Sequence, residues 1–177
     1  MTQLEQFRKQ IDDFFHHHSQ SPLDNQQKQN FRGLSYFPPN KDLILEVELE
    51  WLPPFDTLEI PTSSGETKQF RRLGKFSFAV NGTEAQLTVL SNLDGHELFI
   101  PFRDATSGKE SYGGGRYLDD HRPGVVEIGR NRYRIDFNYA YNPWCAYSPD
   151  FSCTLPPREN WLSIPIRAGE QAFAAHT

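Results

Sequence analysis

Cysteine and methionine are scarce in this chain of 177 residues, with two of the first and one of the second. Cys145 and Cys153 are too few for a disulfide framework, and no CxxC pair anchors a zinc ligand set. Basic residues do not predominate either. Lys plus Arg number 18 against 23 Asp plus Glu, for a formal net charge of -5 and a pI near 5.7, which excludes a general nucleic-acid binder. Long apolar runs are missing: nothing approaches the stretch of about 18 residues that marks a membrane span. The N-terminal MTQLEQFRKQ has no apolar core of the kind a signal peptide carries. These absences predict a cytoplasmic protein with neither a membrane nor a nucleic-acid partner, and the length is that of one domain, 1–177.

Aromatics are plentiful, with 14 Phe, 7 Tyr and 3 Trp, beside 12 Gly and 13 Pro. That mixture favours strands, turns and shaped pockets over helices. Residues 1–33 read as a helical segment. Leu4, Phe7, Ile11 and Phe14 share one face of an amphipathic helix over 2–17, Thr2 and Glu5 form a capping box, and Ser21-Pro22 starts a short second helix ending near Gly33. His16, His17 and His18 point in different directions at the helix end, a spacing unsuited to metal.

From Leu43 the period becomes two: Leu43, Leu45, Val47, Leu49 and Trp51 alternate with glutamates. Further strands are predicted at 57–60, 67–73, 75–80, 83–90, 97–102, 125–128, 132–137 and 161–166, separated by turn signals such as Asn81-Gly82. Strands so spaced, without helices between them, predict a mainly β chain: an antiparallel β-barrel or sandwich-like domain. Regular strands fill 43–102, and a loop-rich β region fills 103–177. Long loops on a rigid scaffold are where sites gather.

Two polar clusters stand out in that second half. The first holds Arg103, Asp104, Thr106, Ser111, Tyr112, a triple glycine and Arg116. No Lys-Ser/Thr pair follows the glycines, so this is not a P-loop, and no βαβ context supports a dinucleotide site. Arginine forks suit carboxylate or phosphate oxygens. The competing reading ties Arg103 and Arg116 internally to Asp104, Asp119 or Asp136. The second cluster, DFNYAYNPWCAY, runs from Asp136 to Tyr147. Asp136, on a strand with apolar neighbours, needs a partner such as Arg116 or lies on a wet face. Asn138 and Asn142 can bond loop backbone or a ligand, and the aromatics can wall a pocket or pack the core.

The phrases TSGKESYGGGRYLD, DFNYAYNPWCAYSPDFSC, LPPRENWL and RAGE, preceded by SPL at 21–23 and FRGLSYF at 31–37, resemble the signature of the domain of unknown function 1684 family. The resemblance covers most of the chain in the same order. It implies no activity and supplies no catalytic assignments, so function rests on the residues themselves.

The leading expectation is a protein that binds a small anionic molecule in a loop-built pocket. Arg103 and Arg116 would hold the anion, with Thr106, Tyr112, Asn138 and Asn142 lining it, and no cofactor or metal is called for. An enzyme is the alternative: a hydrolase using Asp104 or Asp136 as general base, or Cys145 as nucleophile. A thiol nucleophile wants a base, yet His96, His121 and His176 all lie outside the matching phrases. A third reading is an interaction module whose aromatic loops meet a protein partner. Glu170, in the terminal RAGE, is a further candidate partner for an arginine.

Overall fold

The computed structural model describes residues 1–174. Helix α1, Gln3–His17, begins with the expected reciprocal cap: Glu5 N–H donates to Thr2 Oγ1 at 3.1 Å and Thr2 N–H to Glu5 Oε2 at 2.7 Å. Helix α2, Asn25–Asn30, starts later than Ser21-Pro22 predicts, because Asp24 and Gln27 form a capping box of their own. The Ser21 hydroxyl instead donates to Phe15 O.

Nine strands follow among the described residues: β1 Ile44–Glu48, β2 Glu50–Trp51, β3 Thr57–Pro61, β4 Thr67–Val80, β5 Thr83–Ser91, β6 Phe99–Phe102, β7 Arg116–Asp119, β8 Val125–Gly129 and β9 Arg132–Asp136. All pair antiparallel. One sheet has the order β1-β9-β8, the other β2-β4-β5-β6-β7 with β3 also on β4. The alternating run that begins at Leu43 therefore serves both sheets, changing from one to the other at buried Leu49, whose N–H goes to Asn131 O at 2.8 Å. Where β2 pairs with β4, a Cβ on Gly74 would lie 2.8 Å from Glu50 O and 2.9 Å from Leu49 Cδ1. Gly74 is what lets the corner close. The same glycine, which reads in the sequence as a break between two strands, sits at a bulge within one 14-residue strand.

Val47, Val125, Tyr133 and Ile135 of the small sheet share a core with Phe76, Phe78, Leu87, Val89, Ile100, Phe102 and Leu118 of the large one. The sheets do not close into a barrel. β8 ends the small sheet, β5 and β6 pair only at Leu90–Phe99, and the outer edge of β7 meets a single bridge, Tyr117–Tyr141. The sandwich-like alternative is the one realised. The strand expected at 161–166 is absent as well: this segment touches residues 103–105 through two backbone bonds and one isolated bridge. Pro165 removes a donor that a ladder would require. A second apolar cluster of Phe15, Leu23, Phe31 and Tyr147 joins α1 to the late loops. Among the described residues, no helix is long and apolar enough to cross a membrane.

Candidate functional site

Arg116 opens β7 directly after Gly115, whose φ of +92° and lack of a Cβ allow the chain to pass Phe102 O, an added Cβ being only 2.5 Å from that oxygen. Arg116 is fully enclosed. Its Nη2 donates to Asp104 Oδ1 at 3.2 Å and Ile166 O at 2.7 Å, and its Nη1 to Ala168 O and to Glu170 O. Asp104 is equally occupied, accepting from Thr106 N and Oγ1, Ser107 Oγ and Ile166 N. Thr106 in turn bonds Ser111 at 2.8 Å. Burial pulls the Arg116 pKa down and the Asp104 carboxylate pulls it back. Expected as a ligand-gripping cation, Arg116 is instead the tie that staples the C-terminal loop onto the sandwich. Asp104, a candidate base, is its counterion, with no lone pair directed at solvent.

The other predicted residues scatter. Arg103 lies half-buried with its guanidinium 4.5 Å over the exposed Trp161 ring and does not meet Arg116. Asp136 neither pairs with Arg116 nor faces water; it accepts from the Asn138 backbone and side-chain N–H groups at 2.9 and 2.8 Å. Asn138 also clips the backbone of Asn40 through both ends of its amide. Asn142 N–H donates to Glu170 Oε2 at 2.8 Å, and Tyr147 OH donates to the same oxygen at 2.6 Å. Glu170 is thus a buried hub whose burial raises its pKa, against the influence of Arg122, Tyr147, Asn142 N–H and Arg116.

Arginines that the sequence did not single out occupy a different setting. Arg8 of α1 lies 4.1 Å over the Tyr36 ring, and Arg122, in the turn after β7, lies 3.6 Å over the Tyr141 ring. All four side chains are half-buried. Arg8 makes one hydrogen bond, to Asn138 O at 3.3 Å, and its buried Nε has no partner; Arg122 makes none among the described residues. The nearby carboxylates are already served: Asp12 by Leu34 N–H, Asp119 by Tyr141 OH and His121 N–H, Asp136 and Glu170 as above. Burial, aided by the Glu170 charge for Tyr36 and by Asp119 for Tyr141, raises both phenols, which stay protonated donors at neutral pH. Both guanidiniums act on the Tyr36 phenol, so this neighbourhood between α1 and the late loops has surplus N–H donors. Arg8 had a signal in the sequence, since it follows Leu4 by four and precedes Ile11 by three, putting a cation on the apolar stripe. Arg122, in a polar turn, had none.

The two thiols are free and half-buried. Cys145 N–H donates to Cys153 Sγ at 3.2 Å, and Tyr112 OH lies 3.6 Å from Cys145 Sγ. The hydrogen bond from Cys153, then those from Tyr112 and Ser63, lower the Cys145 pKa to about 6 against desolvation, while Cys153 is raised. Burial pushes Tyr112 up to about 12. Two clefts flank the pair: one of about 310 Å³ reaches Tyr112 and Cys145, the other, of about 320 Å³, reaches Cys153, Tyr117 and Tyr141, and Phe151 and Ser152 line both. His96 and His121 are exposed elsewhere, and His176 lies outside the described residues. Among the described residues, no group of three or more His, Cys, Asp or Glu is placed to hold a metal ion.

A family model described as a protein of unknown function, DUF1684, matches residues 29–171. No curated protein matches the chain. Among solved structures, the chain is similar to an uncharacterised protein of Haloarcula marismortui determined by solution NMR, at 36% identity and a TM-score of 0.70, over 96% of this chain and 92% of that one.

Proposed function

The chain belongs to the DUF1684 family, whose activity is unassigned, and we propose from its own side chains that it binds a small anionic molecule at the cluster of Arg8, Tyr36, Arg122 and Tyr141, between α1 and the late loops. The observation that carries this reading is the pair of half-buried guanidiniums, Arg8 and Arg122, which make one hydrogen bond between them while the neighbouring carboxylates Asp12, Asp119, Asp136 and Glu170 each accept hydrogen bonds from other groups. A guanidinium has five N–H donors, and a planar fork removed from bulk water gains most from carboxylate or phosphate oxygens. Tyr36 and Tyr141 support the forks from below as cation–π platforms. Arg116, Thr106 and Asn142 tie the late loops, and Arg103 and Tyr112 take no part in this reading.

Isothermal titration with inorganic phosphate and with a small dicarboxylate such as malonate tests the reading. One of the two is expected to bind wild-type protein, and Arg122→Gln is expected to weaken that binding about tenfold or more, equivalent to about 1.4 kcal/mol. Arg8→Gln should act alike. If neither anion binds at millimolar concentration, or both variants bind as wild type does, the proposal fails.

A further inference from the structure

Cys145 and Cys153 play no part in the arginine cluster, and the architecture around them is specific. Cys145 lies on the short 3-10 turn Trp144–Ala146. Cys153 is held from the other side by the β3–β4 connection, its N–H donating to Ser63 Oγ at 2.9 Å and its carbonyl accepting from Ser63 N–H at 2.9 Å. Two separately anchored segments thus present their thiols to one another, with Cys153 Sγ placed 3.2 Å from the Cys145 backbone nitrogen. Both side chains are half-buried, and each opens onto its own cleft. A packed structural cysteine would be sealed from solvent, and a metal site would need further ligands.

We propose that Cys145 and Cys153 form a redox-active dithiol that exchanges with a disulfide-bearing substrate admitted through the flanking clefts. Cys145 attacks as thiolate on one sulfur of the substrate R–S–S–R, a new Cys145–S–S–R bond forms, and the substrate bond breaks to release one R–S⁻. Cys153 then gives its proton to that leaving thiolate and attacks Cys145 Sγ, and the second R–S⁻ departs. The protein ends with a Cys145–Cys153 disulfide and the substrate with two reduced sulfurs, so the substrate disulfide is itself the oxidant. Exchange of this kind runs best with an attacking thiol that ionises near ambient pH and a neighbour that keeps its proton until called on. The opposed acidities of the two thiols agree with those roles. Tyr112 OH, 3.6 Å from Cys145 Sγ, is placed to donate to the attacking thiolate as a positioning residue.

The test uses reduced, folded full-length protein and an aromatic disulfide, 5,5′-dithiobis(2-nitrobenzoate), with release of the coloured thiolate followed by absorbance and the product by intact mass. Wild type should release two thiolates per chain and end as an unlabelled product lighter by two hydrogens. Cys153→Ser should release one thiolate and keep a stable mixed disulfide, whereas Cys145→Ser should react at least tenfold more slowly than Cys153→Ser. Tyr112→Phe should raise the pH at which the rate reaches half its maximum while leaving the final product unchanged. A doubly labelled wild-type product, equal rates in the two serine variants, or no reaction before the protein is unfolded would each overturn the proposal. The unfolding midpoint of each variant, recorded in parallel, shows whether slow reaction reflects chemistry or loss of fold.

Discussion

Arg116 and the pair Arg8 and Arg122 carry the same functional group in opposite circumstances. Arg116 is wholly buried and spends its guanidinium on one carboxylate and three backbone carbonyls, leaving only Nε without a partner. Arg8 and Arg122 are half-exposed, rest on tyrosine faces, and hold most of their donors in reserve. Burial with near-saturation marks a structural tie, because all the donors removed from water but Nε have been given partners internally. Partial burial with unspent donors marks a place where an external acceptor gains something. The cation alone does not separate a site from a staple; the count of satisfied donors does.

The sharpest way to break this contrast is Arg116→Ala. Removing the guanidinium leaves Asp104 as a buried charge without its counterion and strips the carbonyls of residues 166, 168 and 170 of their donor. Loss of one partner from a buried ion pair costs about 3 to 5 kcal/mol. Urea unfolding should show a loss of that order, or the protein should fail to accumulate in folded form. Gly74→Ala comes next: with no room for a Cβ beside Glu50 O, overpacking of about 1 to 3 kcal/mol is expected from the same measurement.

Glu170 lies between the two extremes, a buried hub whose carboxylate feels the charges of both Arg122 and Arg116. Its folded pKa is raised above the ordinary 4.5, so the folded state holds the proton more tightly than the unfolded chain does. Its contribution to stability is full below pH 4.5 and is lost as the pH climbs through the raised folded value. Glu170→Gln keeps an acceptor for Asn142 N–H and Tyr147 OH without the titrating proton. Unfolding curves taken across this range should therefore fall with rising pH in wild type and fall less in the variant. Arg122→Gln has the smallest expected effect on the fold, less than about 1 kcal/mol, since no hydrogen bond is lost. Its effect on anion binding would be large, and that split between stability and binding is the signature that Arg116→Ala should not show.

Much of the fold is legible in the chain. The capping box of α1, the alternation through Leu45 and Val47 and the hairpin at Asn81-Gly82 are local: each depends on residues a few positions apart, and each appears where the pattern puts it, although the run from Leu43 divides between two sheets and leaves Trp51 exposed. The short second helix, the undivided β4 and the missing strand at 161–166 departed from expectation through competition, between two capping residues in the first case and through a sheet crossing or a proline in the others. The site was less legible. Thr106, Arg116, Asn138 and Asn142 drew notice as polar residues in loops, and the structure places all four in the interior as loop ties. A loop-rich half needs internal polar ties because it lacks ladders to satisfy its backbone. Arg122 and Tyr141, 19 positions apart in sequence, meet only because β7 and the loop after β9 are brought together by the bridge at Tyr117.

By itself the sequence determined what short-range chemistry can determine: a helix start, the alternation that makes a half-buried strand, the turns, and an acidic mainly β chain with polar loops in its second half. Tertiary structure alone decided that the strands form two open sheets rather than a barrel, and which arginine is consumed and which is left with donors to offer. The reason is that burial and donor satisfaction are properties of neighbours in space, and for these loops the decisive neighbours lie 12 to 130 residues away.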